Sequence, residues 1–184
     1  MTSPFRFKFK SVDKAHRLLV HSWLTQPHVA KWFYGQGLKN TFKYLDEFLH
    51  GSSLLQYWLA YDKTHPFALL MTSSVCKPND ELTGWCSEEG DAITRDMLIG
   101  DTHYLGKGFS HILIQEFLFS QFPQVAEVLI DPDITNSHAI HIYKKAGFTI
   151  LGEFIPSHSP NPHYMMRLNM KELRDCKKIT FTVL

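Results

Sequence analysis

The chain has 184 residues, with 44% apolar, 14% aromatic and 20% charged side chains. That is enough to bury a core without disulfides or a structural metal, and too aromatic for a disordered segment. Nineteen basic residues face eighteen acidic ones for a formal net charge of +1, so composition points to neither a nucleic-acid nor an anionic-membrane partner, while leaving room for a local charged pocket.

Phe5-Arg6-Phe7-Lys8-Phe9-Lys10 alternates with period two, which predicts a half-buried strand rather than a signal peptide. Asp13 is placed to open a helix with Ala15, Leu18 and Leu19 on one face, extended by Trp23 and Leu24 until Pro27 starts a second short helix reaching Tyr34. Gly35 and Gly37 predict a loop, and a third helix follows over 41–50, stopped by Gly51. Residues 57–61 and 67–75 are branched and aromatic enough for two strands, joined as a hairpin by Asp62-Lys63-Thr64-His65-Pro66. Residues 77–91 are polar and turn-rich, interrupted by Trp85. Then come a strand over 92–99, a helix over 106–122, a strand over 125–130, a helix over 136–145 ended by Gly147, and strands over 148–154 and 164–170.

The strand–helix–strand unit at 92–130 implies a partly parallel sheet. The expectation is one α/β domain over 1–170, with a C-terminal extension at 171–184 whose stretch 179–184 suits an edge strand or a dimer contact. The apolar run from Ile112 to Phe119 is too short to span a bilayer and carries Gln115 and Glu116. A cytoplasmic monomer or homodimer with no nucleic-acid or membrane partner is the default expectation. Cys76, Cys86 and Cys176 are too scattered for a disulfide framework and form no CxxC pair. Of eleven histidines, His138 and His141 share roughly one helix face and His158 and His163 flank a Pro-rich loop, but spacing supplies no third or fourth ligand, so no metal is expected.

The strongest local chemistry is His103-Tyr104-Leu105-Gly106-Lys107-Gly108-Phe109, between an apolar strand and a helix. Two glycines one residue apart let the backbone bend close to a bound group, and the leading amides of the helix favour a phosphate or pyrophosphate. A tight strand-to-helix turn with no ligand explains the same residues equally well. There is no GxxxxGK[ST], and position 111 is His where a dinucleotide fingerprint has its third glycine. Further on, Asn136, Ile140 and Tyr143 share a helix face, so one polar anchor and one phenol can face the same cleft. Alone, Asn136 reads as a helix N-cap and Tyr143 as a core-edge tyrosine.

Together these residues resemble the GCN5-related N-acetyltransferase family, whose pattern Arg/Gln-x-x-Gly-x-Gly/Ala followed by Asn-x-x-Ala-x-x-x-Tyr-x-Lys-x-Gly-Phe is similar to His103…Gly106-x-Gly108 and Asn136…Ala139…Tyr143…Lys145…Gly147-Phe148. His103 departs from the family's Arg or Gln. Leu105-Gly106-Lys107-Gly108, Asp131-Pro132, His28-Val29-Ala30-Lys31-Trp32-Phe33 and Trp85-Cys86-Ser87-Glu88-Glu89 resemble the aminoglycoside 6′-N-acetyltransferase branch. The resemblance implies a mixed, centrally splayed sheet flanked by helices, acetyl-CoA as cosubstrate and a small cationic amine as acceptor.

It further implies site residues. Asp96 would accept or orient the amine's proton, directly or through water. Backbone amides near Leu98 and Ile99 would hold the oxyanion. Leu105, Gly106, Lys107, Gly108, Phe109 and Ser110, with His103, would hold the pyrophosphate, Asn136 the pantetheine or the helix entry, and Tyr143 would protonate the departing thiolate. Asp96 and Asp131 match the amine-binding carboxylates of the branch, and Trp32 and Trp85 would add rings, with Glu88, Glu89, Asp91 and Glu153 as further acids. A related branch that acylates siderophore precursors shares the style of Leu98-Ile99-Gly100-Asp101, and stays open as an alternative. So do another small-metabolite acyltransferase, a protein-acetylating enzyme and a non-catalytic acyl-CoA-binding module.

Overall fold

A computed structural model describes residues 5–75, 81–87, 90–157 and 159–182, the last six of these for their backbone only. The fold is mixed α/β, as the element order implies. It divides into two compact units, Met1–Ser73 with Asp96–Gln121, and Ser74–Arg95 with Phe122–Leu184.

In the first unit, β1 (Phe7–Ser11), β2 (Gln56–Asp62) and β3 (His65–Ser74) pair antiparallel in sequence. The β2–β3 hairpin closes on a turn in which Lys63 takes φ 56°. Helices α1 (Arg17–Leu24), α2 (Pro27–Ala30) and α3 (Gly35–Leu49) bury Val20, Trp23, Leu24, Val29 and Leu45 with Tyr57, Leu59, Leu69, Met71 and Leu98. A second packing centre joins the rings of Phe7, Phe67 and Phe109, with centroids 5.2–5.7 Å apart. There the buried Glu116 of α4 (Ser110–Gln121) accepts the Phe7 amide at 3.0 Å.

Four expectations for this unit need correction. Helix α2 ends at Ala30, where the expectation carried it to Tyr34. Asp13 caps a 3₁₀ turn, Lys14–His16, and α1 starts only at Arg17. The tighter turn shifts the helical phase, so Leu18 is left 78% exposed and Val20, Trp23 and Leu24 form the buried face. Residues 35–40 are helical rather than loop: Leu38 packs with Phe42 and Phe48 against the core, and that burial outweighs the helix cost of two glycines. Helix α4 begins at Ser110, not at 106, because Gly106 and Gly108 sit at φ 70° and 75°, outside the right-handed helical region.

In the second unit, the start of β4 (Ala92–Ile99) runs parallel to β5 (Glu127–Ile130), and β5, β7 (His163–Asn169) and β6 (Thr149–Phe154) continue antiparallel in that order. The β4–β5 register covers only Ala92↔Glu127, Ile93↔Val128 and Thr94↔Leu129. The core holds Val75, Ala92, Leu129 and Met165, with Leu82, Trp85, Leu151 and Phe154 packed against it. Helix α5 (Ser137–Ala146) ends on Gly147 at φ 108°, a left-handed C-terminal cap. Residues 170–182 form helix α6, so no edge strand starts at Ile179. Asn169 Oδ1 accepts the Lys171 and Glu172 amides at 2.9 and 3.2 Å and so caps its first turn.

Candidate active site

The chain crosses from one unit to the other within β4, with Arg95 in the second and Asp96 in the first. Trp32, Asp96, Leu98, Ile99 and residues 103–110 therefore belong to the first unit, and Trp85, Asp131, Asn136 and Tyr143 to the second.

In the first unit, Asp96 is an exposed position of β4. The buried Tyr57 lies within the reach of Asp96's charge: burial pushes its phenol pKa up, and Asp96 adds to the rise. The Tyr57 hydroxyl donates to the Thr41 carbonyl at 3.1 Å. Leu98 is buried in the core, so only its backbone can serve a ligand. The Ile99 carbonyl is taken by His28 Nε2 at 2.8 Å. Gly100 follows, with Trp23 packed so closely that a Cβ there would overlap its indole. Trp32 is half-buried, and the Lys31 ammonium lies 4.9 Å from its ring centre.

The proposed phosphate turn is anchored at both ends. Asp101 opens the 3₁₀ turn Thr102–Tyr104 and accepts the His103 amide and His103 Nδ1, each at 2.9 Å, and His65 Nε2 on its other oxygen. Burial alone would raise the Asp101 pKa, but the bonds from His65 and His103 outweigh it and hold it down to about 2. Tyr104 stacks on Phe67 at 4.4 Å and its hydroxyl donates to Asp62 at 3.3 Å. Phe109 is buried among the Phe7, Phe67 and Tyr104 rings. Between these anchors Leu105, Gly106, Lys107 and Gly108 are exposed. Added Cβ atoms at Gly106 and Gly108 would meet nothing within 4 Å, so glycine is needed there for its left-handed backbone and not for space. The first bond of the following helix runs from the Leu113 amide to the Phe109 carbonyl at 2.9 Å. Its leading amides therefore face out of the N-terminal end, where an anion is favoured.

In the second unit, Asn136 is the N-cap of α5, its Oδ1 accepting the Ala139 amide at 3.1 Å. Tyr143, two turns on, is half-buried, with the buried Arg95 guanidinium 5.4 Å and the Phe148 ring 5.7 Å from its ring centre. Trp85 is part of the packed core, 5.8 Å from Phe154 and against Gly152, where a Cβ would come within 3.1 Å of the indole. Asp131 is half-buried and faces His163, whose Nδ1 bonds the Asp131 carbonyl and lies 3.3 Å from its carboxylate. Burial disfavours the imidazolium, but the Asp131 bonds and the charges of Asp131 and Asp133 prevail and raise the His163 pKa above 6.5. Asp91 and Glu153 are exposed, and Glu88, Glu89, Cys76 and His158 lie outside the described residues.

Two partners were not foreseen: His65 for Asp101 and His163 for Asp131. They lie 36 and 32 positions from those carboxylates, with no local pattern to reveal them. Among the described residues, no cluster of three or more His, Cys, Asp or Glu is arranged to hold a metal ion, and no helix is long and apolar enough to cross a membrane.

Residues 13–155 match the family described as the acetyltransferase (GNAT) domain. The chain belongs to the GNAT acetyltransferase family. Within it, the chain is 30% identical over 140 residues to an aminoglycoside N(6′)-acetyltransferase type 1 of Klebsiella pneumoniae, covering 71% of this chain and 67% of that one. It is 43% identical to an aminoglycoside N(6′)-acetyltransferase of known structure from Legionella pneumophila, with a TM-score of 0.84 over 95% of this chain and 98% of the other. An aminoglycoside acetyltransferase crystallised with coenzyme A shares the fold at a TM-score of 0.76 and 19% identity, over 93% of this chain and 99% of that one. Members of the GNAT family are acetyltransferases, and this chain is one by family and fold.

Proposed function

We propose that this GNAT enzyme moves the acetyl group of acetyl-CoA to the 6′-amine of an aminoglycoside. The observation that carries the reading is the turn from Asp101 to Phe109, with left-handed Gly106 and Gly108 exposed between two anchors, in a chain 43% identical to the Legionella aminoglycoside N(6′)-acetyltransferase. Backbone amides from Gly106 to Ser110 bind the pyrophosphate, with Lys107 adding positive charge; the Leu105 amide, expected among them, is instead donated to the Thr102 carbonyl at 3.1 Å. His103, tethered to Asp101, keeps the approach to the turn in shape.

An aliphatic amine is mostly protonated at neutral pH and must lose a proton before it can attack. Asp96 accepts or orients that proton, and its exposure on β4 suits a group that meets a soluble acceptor. The amine nitrogen bonds to the thioester carbon. Amides at Leu98 and Ile99 then hold the developing oxyanion, on a strand fixed by His28 and by the Trp23–Gly100 contact. The carbon–sulfur bond breaks, Tyr143 gives its phenolic proton to the leaving thiolate, and the second proton lost by the acylated nitrogen passes through solvent to restore the phenol. Asn136 shapes the start of α5, and Asp131, Trp32 and Trp85 belong to the acceptor side. Residues 1–170 act as one catalytic domain, as monomer or homodimer in the cytoplasm.

The test is thiol release from acetyl-CoA by the purified chain. An aminoglycoside with a 6′-amine should turn over, and its 6′-hydroxyl counterpart should not. Turnover only with an N-hydroxylated lysine would move the enzyme to siderophore-precursor acylation. Tight acetyl-CoA binding with no turnover on any amine would make it a binding module.

A further inference from the structure

Asp131 has been assigned to the acceptor, but in the structure its carboxylate already faces a titratable partner. The segment from Asp131 to Ile134 is tied to the start of β7 by the Asp133↔His163 bridge, the Tyr164 amide on the Pro132 carbonyl at 3.0 Å and the Ile134 amide on the Pro162 carbonyl at 3.2 Å. These ties set the His163 ring against Asp131, with only 8% of the residue exposed. Nδ1 bonds a carbonyl oxygen, which can only accept, so Nδ1 carries the proton of the neutral ring. A second proton must then enter at Nε2, and it places a full positive charge on a ring 3.3 Å from the Asp131 carboxylate.

We propose that His163 is a positioning residue that sets the acceptor affinity of this enzyme: neutral, it orients Asp131 towards a cationic amine, and protonated, it competes with that amine for the same carboxylate. The inference rests on the reading of Asp131 as an acceptor-side group.

Two carboxylates act on the ring, Asp131 by direct contact and Asp133 through its charge. The Phe154 ring packs on His163 at 6.3 Å from β6 and carries no charge. Asp133 is the second carboxylate near the ring, but its oxygens accept the Thr135 amide and hydroxyl at 2.8 and 2.6 Å and the Asn161 side chain at 3.1 Å. Those bonds are spent on the loop, whereas the Asp131 carboxylate points to His163 alone among the described residues. The carboxylates beside the ring raise the His163 pKa above its ordinary imidazole value, which favours the charged ring. Above that raised pKa, Asp131 presents a full negative charge; below it, the pair is neutral.

The experiment is acceptor binding by calorimetry between pH 6 and 8, with a 6′-amino aminoglycoside as probe, for wild type, His163→Gln and Asp131→Asn. Binding is read instead of turnover because the attacking amine's own proton also lowers rate at low pH. Wild-type affinity should weaken about 5-fold or more from pH 8 to 6, within the usual range of coupling between two charged ligands of one group. The His163→Gln variant should lose that extra slope and bind more tightly than wild type at pH 6. The Asp131→Asn variant should bind weakly at both pH values. If Asp131→Asn binds like wild type, the acceptor reading of Asp131 falls. If Asp131→Asn is weak and His163→Gln keeps the wild-type slope, the role of His163 falls. Should His163→Gln fail to fold, the His163 ring proton signal of wild type decides: its pKa must drop when the probe saturates the enzyme, and an unmoved pKa overturns the proposal.

Discussion

The turn at 101–109 is held at its two ends and leaves its middle to bare backbone, whereas residues 131–136 are held by side chains along their whole length. In the turn, the side chains of Asp101 and Phe109 fix the ends and Gly106 and Gly108 do the rest through their φ angles. In the segment, Asp131 meets His163, Asp133 takes Thr135 and Asn161, and Asn136 caps α5. A phosphate is well served by a fixed row of amides, which no side-chain exchange removes. A cationic sugar or amine needs charges at set positions, which only side chains supply. The first region should therefore tolerate exchange of exposed side chains and resist change at glycine, and the second should do the reverse.

The largest expected effect lies with Tyr143. Tyr143→Phe keeps the ring between Arg95 and Phe148 but removes the proton, so kcat should fall about 100-fold, a usual size for loss of a general acid, with the KM for acetyl-CoA little changed. An unchanged kcat would sink the acid assignment. Next is Gly108→Val in the turn. A β-branched residue held at φ 75° is strained by about 1–2 kcal/mol, or about 10-fold in binding. Coenzyme A affinity should drop by that order in calorimetry while the melting temperature hardly moves, because the turn can relax in the free protein. Equal losses in both would mean that the glycines serve folding and not phosphate. Asn136→Ala separates the two regions further. Loss of the cap costs about 1 kcal/mol, which is about 2–4 °C in melting temperature for a chain of this size. A loss of coenzyme A affinity well beyond that would give Asn136 a direct contact.

The turn was legible because everything it needs is local: strand, two glycines, helix, all within one stretch of chain. Helix α5 was legible for the same reason, from Asn136 at its start to Gly147 at its end. What escaped was phase and distance. The 3₁₀ turn before α1 rotated the apolar face away from Leu18, and no periodicity in one helix reports the turn that precedes it. Glycine at 35 and 37 suggested a loop, but Leu38, Phe42 and Phe48 had a core to bury in, and burial across a whole helix exceeds the local cost of two glycines. The carboxylate partners escaped because His65 and His163 reach Asp101 and Asp131 through strand pairing alone. Family resemblance supplied a role for Asp131 and none for Asp101; only the fold shows that each is already engaged by an imidazole.

That shared feature yields the smallest and last effect, since Asp101 and Asp131 have similar partners but different work. Asp101 is a structural anchor whose pKa is held down to about 2 by its bonds from His65 and His103. A depressed carboxylate contributes stability that is present above its unfolded value near 3.8 and is lost as pH falls through about 2. The partners are largely solvent-exposed, with His103 at 90% and His65 at 57% of the side chain, so the contribution is small. His65→Ala should lower denaturant stability slightly at pH 5, and the difference from wild type should shrink as the buffer approaches pH 2. Coenzyme A affinity at pH 7 should change less than 3-fold in His103→Ala, a fraction of the Gly108→Val effect. If His103→Ala instead weakens coenzyme A as much as Gly108→Val does, the phosphate is held by an imidazole as well as by amides, and the contrast between a backbone-built turn and a side-chain-built acceptor segment no longer stands.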